Sequence, residues 1–393
     1  MSFATLSLII AVGILGPVLA LPKRWHLPVV LGELLAGVVL GPTGSNTLHA
    51  SDRMFTFLAN IGFALVMFVA GSHVPIRNPA IVASIRSGTG RAIGVAALSV
   101  PAAIAIAHGF GTGHTALYVV LMSSSSAALI LPIIDSLKLS GDAILGALPQ
   151  IAVADAACIV ALPLAIEPAH AARAGLGALA VIGCAVVLYL ALSFVEKRGW
   201  RHRAHEASED HMLALELRVS LALLFAIAAV ATKTHVSIML AGFSSGIAVA
   251  AVGEPRRLAK QLFAVTEGFL GPLFFVWLGA SLNIRDLGDH PSYVWLGLAL
   301  GAGAVATHAA MRLTGQPLAL GALCAAQLGV PVAAATLGTQ LHLLAPGQPA
   351  ALILGALVTI AVATLSGGAL APPAESPAQS PPAQPPPQSS PRT

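Results

Sequence analysis

Thirteen apolar runs separated by short polar or basic connections fill the first 370 residues of this 393-residue chain. They are Ala4–Leu21, Leu27–Leu40, Met54–His73, Ala92–His108, Thr115–Asp135, Ala143–Ile166, Gly175–Phe194, Met212–Ala231, Ser237–Val252, Leu262–Leu282, Tyr293–Met311, Leu318–Leu341 and Ala350–Leu370. A helix crosses a bilayer with about 20 mostly apolar residues. The pattern therefore predicts an all-α polytopic membrane protein of about 13 transmembrane helices. The second run is the shortest.

The connections alternate in charge. Lys23/Arg24, Arg77/Arg86/Arg91, Lys138, Lys197/Arg198/Arg201/Arg203, Arg256/Arg257/Lys260 and Arg312 fall in every second loop. The opposite set holds only Arg53, Arg173, Lys233 and Arg285. The positive-inside rule puts the richer set in the cytoplasm, the N-terminus outside and the C-terminus inside. An odd number of crossings follows. The first run lacks a basic leader and a small-residue cleavage site, so it is expected to be a membrane helix and not a cleaved signal. The charged connection Glu196–His211 lies midway and can link two halves of six helices each. Residues 371–393 read APPAESPAQSPPAQPPPQSSPRT, which predicts a Pro-rich disordered cytoplasmic tail with no soluble regulatory domain after the last helix.

Composition excludes a soluble domain. The chain is 56% hydrophobic and 9% charged, against about 25% charged residues in soluble proteins. The formal net charge of +4 then reports topology and not a nucleic-acid partner. Cys158, Cys184 and Cys324 all lie in apolar stretches and offer neither a disulfide framework nor metal spacing. The 13 histidines make no HxxxH or HExxH pair. Nothing in the sequence has the spacing of an enzyme's nucleophile and base or of a phosphate loop. Neither catalysis nor a cofactor is expected.

The chemistry is expected at Asp155, near the middle of the run AILGALPQIAVADAACIVALPLAI. A carboxylate there costs about 2.5–3.5 kcal/mol on insertion scales and marks an ion or proton path. The competing reading is a structural carboxylate bonded to neighbouring helices. Two further features bear on the choice. The fifth run holds Ser123-Ser124-Ser125-Ser126 and then Pro132, and the twelfth holds Gln327-Leu328-Gly329-Val330-Pro331. These helix-weakening residues sit mid-span, at matching places in the two halves. Paired interrupted helices are the sequence pointer to a transport site. They free carbonyl and N–H groups at the midplane to meet an ion or a charged side chain. Taken singly, serines that pack helices closely and a proline that only kinks remain an equal reading. Other intramembrane ionisable residues carry less: Glu33, Glu216, Arg218, Glu267, an interfacial Asp135, and His308, a turn from Arg312.

Four segments resemble the monovalent cation:proton antiporters, in particular the cation:proton antiporter-2 group of sodium/proton exchangers and potassium-efflux membrane domains. Gly32-Glu33-Leu34-Leu35-Ala36-Gly37-Val38-Val39-Leu40-Gly41-Pro42 is similar to the family's GELLAGxxLGP signature. Phe68-Val69-Ala70-Gly71 resembles its FLAG segment, and Ser124-Ser125-Ser126-Ala127 its SSTA stretch. Leu273 to Leu282 resembles its PLFFVxxGxxLD pattern. The resemblance spans roughly residues 1–370. It implies two inverted six-helix repeats with crossed broken helices. Helices 1–3 and 8–10 would form a dimerisation domain, and helices 4–6 and 11–13 a moving core. It further implies a homodimer, a bacterial inner (plasma) membrane location, and antiport of sodium or potassium against protons by alternating access. Asp155 would be the shared proton and monovalent-cation site, with Ser124, Ser125 and Ser126 near it and Pro132, Gly329 and Pro331 at the breaks.

The chain also departs from the family pattern. Ala154 stands where the family has a second polar residue, the eleventh-helix lysine is absent with Thr307 or His308 near its place, and the twelfth-helix Glu is missing. One acid implies one cation exchanged per proton, with His308 as a possible second proton or charge-compensating site. The alternatives are a sodium-coupled organic-solute symporter of related fold, which needs a substrate-sized cavity beside helices 5 and 12, and a non-transporting sensor.

Overall fold

A computed structural model describes residues 1–21, 29–72, 79–166, 171–198, 214–234, 236–253, 256–282 and 285–370. Among them, thirteen helical spans occur in the order expected, and none of the residues forms a strand. Span α1 is Phe3–Gly13 continued by Leu15–Ala20; α2 is Val29–Leu40, α3 Arg53–Ser72 and α4 Pro79–Gly109. Span α5 is split into α5a, Thr115–Ser123, and α5b, Ala127–Ser136. Then come α6 Asp142–Ile166, α7 Ala171–Lys197, α8 Leu215–Lys233 and α9 Ile238–Val252. Span α10 runs through Arg256–Val265, a π-helical turn Thr266–Leu270 and Gly271–Ser281. Span α11 is Pro291–Ala309 with a 3₁₀ turn Ala310–Thr314. Span α12 is split into α12a, Leu318–Cys324, and α12b, Gly329–Gln340, and α13 is Gln348–Leu370. A one-turn helix, Arg285–Asp289, joins α10 to α11. The tail 371–393, most of the connection Glu196–His211, and Lys23, Arg24, Arg77, Arg201 and Arg203 lie outside the described residues.

Span α4 begins thirteen residues before the apolar run expected there, so Arg86 and Arg91 stand on the helix and not in a loop. Apolarity marks what lipid tolerates, whereas helix propensity carries the backbone on into the polar layer. Pro101 is accommodated inside the same span. At the start of α3, Asp52 caps the helix: its carboxylate accepts from the Met54 and Phe55 amides at 2.9 and 3.0 Å. The N-terminal ammonium donates to the same group at 2.7 Å. That contact first, and then the Phe55 amide, hold the Asp52 pKa below its ordinary value.

Nine of the described helices are long and apolar enough to cross a membrane. Their outward faces carry large apolar side chains, such as Phe57, Leu176, Val187 and Trp295. Exposure of this kind fits lipid as the solvent and not water. Between helices the contacts are made by small residues. A Cβ on Gly37 of α2 would overlap the Val276 carbonyl of α10, and one on Gly279 of α10 the Leu34 carbonyl of α2. Gly71 and Gly246 let α3 and α9 cross in the same way. Small residues let helices approach closely where no hydrophobic force separates protein from lipid.

Packing divides the spans into two sets. Spans α1, α2, α3, α8, α9 and α10 pack on one another, and so do α4, α5, α6, α11, α12 and α13. Span α7 lies against α6, α8 and α9 and joins the sets. A cleft of about 340 Å³ opens where they meet, lined by Ala156 and Val160 of α6, Val186 and Tyr189 of α7, and Phe243 and Ile247 of α9. It is apolar and lies beside α6, α7 and α9, not beside the two split helices.

Candidate ion site at the crossed helix breaks

The site starts from two unwound stretches, Ser124–Ser126 and Ala325–Leu328. After α5a, Ser124 turns to extended backbone (φ −74°, ψ 154°), and helical geometry resumes at Ala127. After α12a, Ala325 to Leu328 leave the helix, with Leu328 at φ −142°, ψ −55°. A serine run weakens a helix because its hydroxyls compete for backbone carbonyls. Ser123 Oγ donates to Val119 O at 2.7 Å and Ser124 Oγ to Leu121 O at 2.9 Å, so both back-bond to α5a.

The two breaks satisfy each other. The Ser126 amide donates to Ala326 O at 2.8 Å, and Ser125 Oγ to Cys324 O at 2.7 Å. Ser124 Oγ also lies 2.7 Å from Gln327 Oε1, as donor to it. The Gln327 amide in turn donates to Thr359 Oγ1 of α13 at 3.3 Å. All of these side chains are buried, Ser124 and Thr359 completely. Non-helical backbone at membrane depth is tolerated only where such partners exist.

Asp155 faces this crossing from α6. It is 6% exposed, and its Oδ2 accepts from the Ala127 amide at 3.0 Å. Ala127 is the first residue of α5b, so the carboxylate sits at a helix N-terminus, where unpaired N–H groups and the helix dipole favour a negative charge. No cationic side chain pairs with Asp155 among the described residues. One turn along α6, Cys158 Sγ lies 3.5 Å from Ser123 Oγ. The structure thus brings Asp155 together with the Ser124–Ser126 break.

The other named residues stand elsewhere. Pro132 does not mark the break in α5: it is the sixth residue of α5b, inside a continuous helix. Gly329 and Pro331 are the first and third residues of α12b, just past the break. Proline suits that first turn, since its missing N–H would have had no intrahelical partner. His308 is buried in α11; its Nδ1 lies 2.9 Å from Ala304 O, while its Nε2 has no hydrogen-bond partner among the described residues. Its carbonyl abuts Gly321 of α12a, where a Cβ would come within 2.7 Å. No hydrogen bond or ion pair joins it to Asp155. Thr307 beside it reaches Met122 O of α5a at 3.4 Å. Glu33 is buried in α2, and Glu267 is exposed on the π-helical turn of α10, both in the other packing set. Asp135 belongs to α5b.

Four participants escaped the sequence pattern. The Ala127 amide is a backbone group with no residue-type signature. Thr359 shares its apolar run with Thr364 and Ser366, so nothing in the sequence singles it out. Met67 of α3 lies against Gly329, with Cε 3.5 Å from where a Cβ would stand, and Met239 of α9 follows at 3.9 Å. Through these two thioethers the α12 break touches the other packing set.

Known proteins share this architecture and sequence. The family model described as "Sodium/hydrogen exchanger, transmembrane" matches residues 7–374. The chain belongs to this family. Among exchanger relatives, it is 23% identical over 389 residues to the "Putative Na(+)/H(+) antiporter YjbQ" of Bacillus subtilis (strain 168), covering 91% of this chain and 61% of that one. It is 25% identical over 298 residues to the glutathione-regulated potassium-efflux system protein KefC of Cronobacter sakazakii, covering 74% of this chain and 47% of the relative. The chain therefore spans about half to three-fifths of these relatives' length. The structure of the sodium proton antiporter MjNhaP1 from Methanocaldococcus jannaschii superposes with a TM-score of 0.64 at 15% identity, covering 94% of this chain and 97% of that one. This exchanger-family chain thus has the antiporter fold: all-helical among the described residues, with its two split spans crossing at the fifth position of each six-helix half.

Proposed function

We propose that this chain exchanges a monovalent cation, sodium or potassium, for protons by alternating access, with Asp155 as the shared site. The observation that carries this reading is the Asp155 carboxylate, buried at the N-terminus of α5b beside the crossed breaks with no cationic partner among the described residues. Such a group binds either a proton or a cation. A proton removes the charge that holds the cation, and a cation opposes protonation. Competition of this kind couples the two flows if the site crosses only when occupied. Carbonyl and hydroxyl oxygens at the breaks are the ligands that hard cations prefer. The relatives' printed names, sodium/proton antiport and potassium efflux, agree with the substrate class.

The set containing α6, α5 and α12 would carry the ion, and the set containing α2, α3 and α10 would form a static homodimeric scaffold. The N-terminus would lie outside and the C-terminus in the cytoplasm. With one acid at the motif and Ala154 before it, the exchange is one cation per proton and electroneutral. The thin polar surroundings of Asp155 favour the competing reading of a non-transporting sensor. Cation-dependent pH changes in everted vesicles, compared for sodium, lithium and potassium, separate the two. The native chain should respond, and Asp155→Asn should abolish the response while remaining folded and inserted. Unchanged flux in Asp155→Asn would overturn the assignment. A dependence on membrane potential near one charge per cycle would overturn electroneutrality and implicate His308.

A further inference from the structure

A second buried polar layer lies five residues before Asp155 on α6, toward the end of the bundle that carries Arg91 and Arg312. Gln150 of α6 and Gln316, in the turn between α11 and α12a, are 1% and 3% exposed. Gln316 Nε2 donates to Gln150 Oε1 at 3.0 Å and lies 3.8 Å from Cys324 Sγ. Two amide atoms are left over: Gln150 Nε2 and Gln316 Oε1 have no hydrogen-bond partner among the described residues. Exchanging O and N in both side chains leaves the same remainder, one free amide NH₂ and one free amide C=O. A clamp between α6 and the α11–α12a turn needs only the bond already made. Burying two further polar atoms is costly and calls for a ligand that meets both.

The layer lies on a line of polar groups. At its outer side, Arg91 Nε donates to Thr314 Oγ1 at 3.2 Å, and Arg91 Nη1 lies 3.5 Å from where a Cβ on Gly146 would stand, one turn before Gln150. At its inner side, Cys324, which touches Gln316 through sulfur, accepts from Ser125 of the α5 break through its carbonyl. The neighbours of Gln150 along α6, Ala147 and Ile151, are apolar and buried.

We propose that the Gln150–Gln316 pair is an internal hydration site. It holds a water molecule that accepts from the free NH₂ and donates to the free C=O. This site is the step between the Arg91 end of the bundle and Asp155. A neutral amide pair suits water better than a bare cation, because its N–H groups repel positive charge while its single free oxygen leaves most ligand positions unfilled. This role rests on Asp155 being the transport site.

The test uses Gln150→Met, Gln316→Met and the double variant in the full chain, reconstituted in vesicles. Methionine nearly matches the shape of glutamine, and the double change removes donors and acceptors together, so no orphaned group is created. Two quantities are read: cation-dependent proton flux, and labelling of Cys324 by a small charged methanethiosulfonate added at the Arg91 end, with Cys158 as the internal comparison. In the native chain Cys324 should label faster than Cys158. In the double variant both Cys324 labelling and flux should fall about tenfold, roughly the worth of one hydrogen bond. Gln150→Met, which does not touch the thiol, should reproduce the loss and so separate access from altered thiol reactivity. An unlabelled native Cys324, or a folded double variant with native labelling and flux, overturns the hydration site. Asp155→Asn should lose flux and keep the labelling. If it keeps flux while the double variant loses labelling, the transport assignment fails and the hydration site stands.

Discussion

Among the described residues Asp155 is held by a single backbone amide, and that amide exists because a helix restarts directly after three consecutive unwound serines. The serines differ in what they hold. Ser124 is fully buried and spans the crossing to Gln327, whereas Ser125 and Ser126 bind backbone of the other break. Ser124→Ala should leave Gln327 Oε1 buried and unmet, at a cost of about 1–3 kcal/mol. Adding Gln327→Leu should recover part of that loss, because both partners are then apolar. Thermal unfolding of the two variants in detergent checks this; equal destabilisation by the single and double changes would show that the bond is not what ties the breaks. Sequence located Asp155 and the serines by the cost of placing them in lipid. It could not supply the Ala127 amide or choose between His308 as a partner and His308 as a packed residue. The fold places that imidazole on its own helix, with Gly321 of α12a against its carbonyl.

At the scale of elements, what breaks a helix is what finds a partner once it is broken. Pro132 continues α5b, while the serines, whose hydroxyls and amides reach α12, mark the gap. The helices that do not break are packed through glycine. Gly279→Val should push α10 off α2, because even a Cβ there overlaps the Leu34 carbonyl. Overpacking of this kind costs about 1–3 kcal/mol and sometimes more. Gly183→Ala on α7, where a Cβ meets nothing within 4 Å, should be neutral. The yield of monodisperse protein from detergent extracts distinguishes the pair, and equal yields would deny the crossing its role. Element positions were legible from apolar runs; the crossings were not, because close approach depends on which glycines face each other.

For the molecule as a whole, the proposed alternating access would require the two packing sets to move past one another, and Met67 against Gly329 is one place where they touch at the α12 break. A Met67→Cys/Gly329→Cys chain, with native thiols replaced, should lose cation-dependent proton flux when a short bifunctional thiol reagent joins the two positions. Cleaving the link with reductant should restore it. Full flux in the cross-linked protein would mean that these sets do not slide here during turnover. Methionine suits such a contact, since its flexible thioether repacks at little cost.

The sequence by itself determined that the chain lives in a membrane, how many spans it has, where a carboxylate is buried, and which two spans are weak. All of these follow from local composition set against the cost of polar groups in lipid. The tertiary structure decided that the two weak spans unwind against each other, that Asp155 meets the start of α5b, and that Gln150 and Gln316 share a buried layer. Those facts pair residues up to about 200 positions apart, such as Ser124 with Gln327. Partners that distant leave no periodic trace in a single chain; only packing brings them within hydrogen-bonding distance.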